Sequence, residues 1–147
     1  MKGFNKTIKY ATIDIGSNAI RLLISNIYID KSERFSTKNS LVRVPIRLGQ
    51  DAFIKGEISK KNISRLLDSL KSFKFLMKVH NVEKYLAYAT SALRSSSNGK
   101  KIIDLIEKQT NIKIEIISGT KEARLITNNP AFLIKNKTFC FIDVGGG

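Results

Sequence analysis

The sequence predicts an α/β domain: a mixed five-stranded sheet, three antiparallel strands followed by alternating β and α, with helices on its faces. Two observations carry this. Apolar runs rich in β-branched residues, separated by short polar turns, recur three times between Ile8 and Leu48, which is the pattern of an antiparallel meander. From Ser59 onward, helical and strand periodicities alternate, so later strands join the meander with helices packed against the sheet. At 147 residues and 42% hydrophobic, the chain can bury the core such a domain needs.

The elements follow in order. Ile8 to Ile15 suits a buried strand and Ala19 to Ile29 a long second strand, with Arg21 and Asn26 as its polar interruptions. A third strand is expected from Arg34 to Leu48, bent at the polar Thr37 to Ser40 or at Pro45. Gly49 to Gly56 reads as a loop. Ser59 is an N-cap, and Ile63, Leu66, Leu67, Leu70, Phe73 and Met77 follow at helical spacing to about His80. The chain's one histidine then stands at a helix C-terminus, where a cation is favourable. Lys84 to Thr90 reads as a strand compatible with burial on both faces, and Ser91 to Asn98 as a polar stretch carrying Arg94. A helix is expected over Gly99 to Thr110 with Asn98 as its cap, and a strand over Asn111 to Ile117. A third helix opens from about Lys121, ended or kinked by Pro130. A last strand covers Thr138 to Val144.

One stretch organises the rest. In Tyr10 to Ser25 an apolar strand carries a lone acid, Asp14, into the turn Gly16-Ser17-Asn18, and a second apolar strand leaves it. The chain closes on a partial echo, Phe139 to Gly147, where Asp143 runs into three glycines. Two strands that each end in an acid and a glycine turn suggest a pair of turns facing one phosphate-bearing ligand across a cleft. A plain hairpin role for Gly16 and Ser17 is the alternative.

Composition narrows the setting. Formal net charge is +14, from 26 Lys and Arg against 12 Asp and Glu, a field that attracts polyanions. Scattered lysines that merely solvate the surface would give the same number. One cysteine, Cys140, excludes an internal disulfide, and its apolar strand makes it a buried core residue. No signal-peptide pattern precedes the first glycine turn and no apolar run approaches a membrane span. A cytoplasmic protein that binds no membrane is expected. No base-stacking or groove-reading motif points to specific nucleic-acid binding.

The element order, with Ile13-Asp-Ile-Gly-Ser-Asn18 in its first turn, resembles the actin-like, sugar-kinase and Hsp70 superfamily, whose domains have a ribonuclease H-like fold. Within it the chain is similar to the exopolyphosphatase / guanosine pentaphosphate phosphohydrolase family. Four segments carry the resemblance: Ile13 to Leu23, Ala89 to Arg94 with Asn98 beyond, Ile117 to Arg124, and Ile142 to Gly147. Arg47-Leu-Gly49 followed by Gly56 to Ser59 is a weaker fifth. The resemblance implies a two-domain enzyme. Residues 1–137 would be its first, actin-like ATPase-type domain, and residues 138–147 the opening strand and glycine turn of the second. It also implies homodimers of the whole enzyme, and a chain inactive by itself. An orphaned strand at Thr138 to Val144 would fray or make a contact foreign to the family.

Hydrolysis of a terminal phosphoryl group needs donors for its oxygens, a cation and an oriented water. Gly16, Ser17 and Asn18 can supply backbone N–H groups and side-chain donors, Arg94 can donate bidentately to phosphate, and Gly145 and Gly146 are the matching turn of the second half. Asp14 and Asp143 suit Mg²⁺ or another divalent cation bound partly through water. The resemblance makes Glu122 the general base that orients the attacking water of polyphosphate or guanosine pentaphosphate hydrolysis. From the residues alone, Glu122 reads first as a helix-dipole acid, and Arg94 equally as a surface ion-pair partner. Arg21 and Arg124 read as structural or peripheral. Lys121 stands where the family has another acid, which makes the site more cationic. The alternatives are a non-catalytic polyphosphate- or nucleotide-binding module, or an ATP-using kinase of the same superfamily.

Overall fold

The computed structural model describes residues 6–30, 34–127 and 142. Ten elements run in order: β1 (Lys6–Ile15), β2 (Ala19–Ile29), β3 (Arg34–Pro45), α1 (Leu48–Lys55), α2 (Lys60–Val79), β4 (Lys84–Ala89), α3 (Ser91–Ser95), α4 (Gly99–Thr110), β5 (Glu115–Ile116) and α5 (Gly119–Thr127). They form one mixed sheet of order β3-β2-β1-β4-β5. β1, β2 and β3 are antiparallel, and β4 and β5 add in parallel beyond β1. This is the α/β, ribonuclease H-like arrangement expected from the sequence.

Alternation along the strands decides what each face does. In β1, Ala11, Ile13 and Ile15 are buried, and their cross-strand partners Ile24, Leu22 and Ile20 in β2 are buried with them. Ala87 and Ala89 of β4, paired with Ile13 and Ile15, continue that face. Against it pack Leu48 and Ala52 of α1, Leu66, Leu70 and Phe73 of α2, Leu93 of α3, and Ile102 and Ile106 of α4. Each fully buried large side chain contributes about 1.5–3 kcal/mol of transfer free energy. The opposite face carries Thr12, Asp14, Arg21, Leu41, Leu86 and Tyr88, and no described helix buries Leu41 or Leu86, which are 49% and 44% exposed. Burial of β4 on both faces is therefore not found: the core lies on one side, and the other side carries the candidate site.

Several boundaries differ from the expectation for physical reasons. The stretch read as a loop, Gly49 to Gly56, is α1. It is held by burial of Leu48 and Ala52 one turn apart and closed by Gly56 at φ 74°, the left-handed conformation glycine adopts without strain. β3 stops at Pro45, and its polar interruption is a bulge: Ile24 pairs with Ser40 and Ser25 with Lys38, so Asn39 is the extra residue. β5 is two residues long rather than seven. The Tyr85 hydroxyl accepts from Lys113 N–H (3.1 Å) and donates to the Asn111 carbonyl (3.3 Å), binding the preceding segment without a ladder. Ser59 caps α2 through the Asn62 N–H, and His80 is its C-cap as expected. Asn98 precedes α4 but its side chain caps nothing there. It bridges to Ile58, accepting from the N–H (2.9 Å) and donating to the carbonyl (2.8 Å). Pro130, Cys140, Asp143, Gly145, Gly146 and the strand expected over Thr138 to Val144 lie outside the described residues.

Candidate functional site

At the C-terminal ends of β1 and β4 the chain opens into a cleft of about 960 Å³, reached by the β1–β2 turn, the sheet face without helices, α3 and α5. The turn is fastened from behind. Gly16 N–H closes it on the Ala19 carbonyl (3.1 Å), while the Ser17 and Asn18 carbonyls accept from Gly49 N–H (2.8 Å) and Arg47 N–H (2.9 Å). A side chain at Gly16 would place its Cβ 3.2 Å from the Ala19 carbonyl oxygen, which is why this position favours glycine. With both carbonyls committed to the start of α1 and the Gly16 N–H to Ala19, the donors left in the turn are the Ser17 and Asn18 N–H groups and side chains. Successive backbone N–H groups in a turn are the kind of donor set that can hold an anion. The Ser17 hydroxyl is buried against that of Ser91 (2.8 Å), which ties the turn to the first residue of α3.

Arg94 sits in the last turn of α3. One guanidinium nitrogen donates to the Ile117 carbonyl (2.7 Å) and lies 3.6 Å from the Glu122 carboxylate. Both side chains are about one-third exposed, and both residues line the cleft. Glu122 stands in the first turn of α5, whose entry is fixed by the Ser118 hydroxyl accepting from Lys121 N–H (3.2 Å). The ion-pair and the ligand-facing readings of Arg94 and Glu122 thus describe the same geometry.

On the sheet, Asp14 and Arg21 are directly opposed across β1 and β2 and form an ion pair of 2.8 Å. Arg21, expected to be structural or peripheral, is structural in this ion pair and also lines the cleft; Arg124 does not line it. Lys121 is also placed differently from the expectation. Its ammonium is bonded to Glu115 (2.6 Å) and lies 4.9 Å from the centre of the Tyr88 ring, so its charge is spent beside the cleft rather than in it. Glu115 raises the Lys121 pKa above its ordinary value through that hydrogen bond. Sequence reasoning also missed Tyr88 and Ser91 as lining residues.

The described carboxylates in the cleft are Asp14 and Glu122. Mg²⁺ keeps several waters and takes one or two carboxylates together with substrate phosphates, so a donor set of this size fits it. Asp14 would be the carboxylate on the sheet, with Arg21 as its present counter-ion. No group of three or more His, Cys, Asp or Glu gathers for a metal among the described residues. No described helix is long and apolar enough to cross a membrane.

Comparison with known proteins gives this geometry a family. The family model described as the Ppx/GppA phosphatase family matches residues 38–147. Over 145 residues the chain is 32% identical to a bifunctional 3-dehydroquinate synthase/phosphatase of Fusobacterium nucleatum, covering 93% of this chain and 22% of that protein. Over 147 residues it is 24% identical to exopolyphosphatase 1 of Mycobacterium leprae, covering 95% of this chain and 41% of that one. The chain thus spans less than half the length of these curated relatives. Among solved structures, the Aquifex aeolicus member of the Ppx/GppA family superposes with a TM-score of 0.73 at 25% identity, over 81% of this chain and 38% of that one. An exopolyphosphatase from Cytophaga hutchinsonii superposes with a TM-score of 0.72 at 36% identity, over 80% of this chain and 36% of that one. With three-quarters of its residues matched by the family model and its fold superposing on solved members, the chain belongs to the Ppx/GppA phosphatase family.

Proposed function

We propose that the chain forms the first half of a phosphohydrolase cleft that releases orthophosphate from inorganic polyphosphate or guanosine pentaphosphate. The observation that carries this reading is convergence. The Gly16-Ser17-Asn18 turn, Arg94 and Glu122 come from three parts of the sequence and line one cleft. Residues 1–137 would be the first domain, and residues 138–147, with Asp143, Gly145 and Gly146, the entry to the second, which would close the cleft.

In this mechanism the turn N–H groups and the Ser17 hydroxyl hold the equatorial oxygens of the terminal phosphoryl group, and Arg94 balances their charge. An incoming phosphate competes with Glu122 for the Arg94 guanidinium. Glu122, loosened from a pair already 3.6 Å long, is then available to orient and deprotonate a water. Asp14, with Asp143 from the other half, would hold Mg²⁺, which neutralises charge on the transferring and leaving oxygens when bound.

The test is phosphate release in the presence of Mg²⁺, measured on a chain that carries both halves of the cleft. Glu122→Ala is expected to lower turnover by about 10²–10⁴-fold while substrate binding persists. Undiminished turnover in that variant would remove Glu122 from the role of base.

A further inference from the structure

Helix α5 carries the Glu122 carboxylate to the cleft, yet no residue of α5 is buried. Leu125 and Ile126, its large apolar side chains, are 48% and 39% exposed. Its hold on the rest of the domain is therefore chiefly polar and lies in its first turn, where Lys121 and Glu122 are half-buried. Among the described residues two side-chain ion pairs leave this helix: Glu122 to Arg94 at 3.6 Å, and Lys121 to Glu115 at 2.6 Å. Lys121 also stands over the Tyr88 ring, 4.9 Å from its centre, within the range at which an ammonium is attracted to an aromatic face.

A ligand acts differently on the two ties. A phosphate that takes the Arg94 guanidinium breaks the longer pair. Lys121 and Glu115 lie outside the cleft lining, so their pair survives. Its anchors are fixed in the sheet: Glu115 of β5 is paired with Tyr88 of β4, and Tyr88 with Asp14 of β1. The ammonium is thus pinned to the row of strand residues that carries Asp14. Successive residues of a helix point about 100° apart around its axis. Pinning Lys121 at the sheet therefore sets the rotation of α5 and, with it, the direction of the next side chain, Glu122.

We infer that Lys121 is a positioning residue for Glu122: its clamp onto Glu115 and Tyr88 holds the first turn of α5 in place once phosphate has drawn Arg94 away. The inference rests on the phosphohydrolase reading and deepens it. An ion pair as exposed as this one contributes little to folding, so its effect belongs in turnover. A base displaced by about 1 Å can cost up to about 10²-fold in rate.

The experiment measures phosphate release with Mg²⁺, from polyphosphate and from guanosine pentaphosphate, on a chain that carries both halves of the cleft. The variants are Lys121→Met, Glu115→Ala, the two combined, and Lys121→Arg. Each of the first two is expected to lower kcat by about tenfold and to keep KM within about twofold. The combination should lose no more than either alone, because both remove one clamp. Lys121→Arg, which can pair with Glu115 and stack on Tyr88, should restore kcat to within about threefold. Undiminished kcat in Lys121→Met would overturn the inference, as would a loss carried by KM. A loss confined to Lys121→Met would overturn it too: Glu115→Ala keeps the lysine charge, so the effect would then be charge and not position. Amide exchange over α5 with pyrophosphate bound reads the clamp without turnover. It should quicken in Lys121→Met and Glu115→Ala and stay at the wild-type rate in Lys121→Arg; wild-type exchange in all three would contradict the clamp. Failure of the base reading shows separately, as undiminished turnover in Glu122→Ala.

Discussion

Asp14 shows how a residue's position can be legible while its contacts are not. Its place at a strand end before a glycine turn predicts an acid in the cleft wall, and it lines the cleft. The arginine that neutralises it, Arg21, reads as peripheral when the second strand is taken by itself. The register decides it: Ile15 pairs with Ile20 across the four residues Gly16 to Ala19, which sets Asp14 opposite Arg21, whereas a three-residue turn would set it opposite Ile20. Ser91 and Tyr88 were out of reach by any such count, because they meet the turn only through parallel pairing of β4 with β1, 74 residues away. The place of Lys121 is hidden for a similar reason: its partner Glu115 belongs to β5, whose position beside Tyr88 is a tertiary fact. One outcome belongs to this scale. If Asp14 carries Mg²⁺ in the complete cleft, Asp14→Asn should raise the Mg²⁺ concentration needed for half-maximal turnover by about tenfold or more. Titration of activity against Mg²⁺ checks it, and an unchanged requirement would take Asp14 out of the ligand set.

Among the elements, α1 is the one the sequence concealed. Eight residues with two glycines at its borders look like a loop, and the helix stands because Leu48 and Ala52 reach the core and Asp51, in its first turn, accepts from Ser59 and Asn62 at the start of α2. The Ser59 hydroxyl, with the Ser59 N–H and the Asn62 amide, holds the Asp51 carboxyl well below its ordinary value of 3.8. A depressed folded-state pKa means stability that is fully present above that ordinary value and lost as pH falls below it toward the folded-state value. Asp51→Asn is therefore expected to cost about 2 kcal/mol at neutral pH. In denaturant titrations, its gap from wild type should stay constant between about pH 6 and 8 and narrow below about pH 4. A gap independent of pH down to acid would show that the charge contributes nothing. The junction between α3 and α4 gives a sharper steric case. A Cβ on Gly99 would lie 1.9 Å from the Leu93 carbonyl oxygen, a backbone atom that cannot swing aside. Gly99→Ala should destabilise the domain by about 2–4 kcal/mol, read as a lowered denaturation midpoint.

For the whole molecule, the sheet order and the single-faced core explain why the cleft is where it is. Helices α1 to α4 cover one face, the strand ends of β1 and β4 meet at the turn, and α5 borders the uncovered face with Leu125 and Ile126 unburied. The fold class was readable because three antiparallel strands followed by β/α alternation leave few topologies. The burial of only one sheet face was not, since apolar residues such as Leu41 and Leu86 look alike whether covered or exposed. Hydrogen exchange should follow this layering: slowest at the amides of Ala11 to Ile15 and Ile20 to Ile24, fastest among the strands at Arg34 to Ser40 of the exposed edge strand. Uniform protection across the sheet would contradict it. The central claim, that distant segments share one phosphate site, is tested most directly by titrating pyrophosphate into the wild-type protein and Arg94→Gln. The expected result is a loss of about 1.5–3 kcal/mol in binding, tenfold or more, in a variant that still unfolds cooperatively. Equal affinity in the two proteins would contradict it.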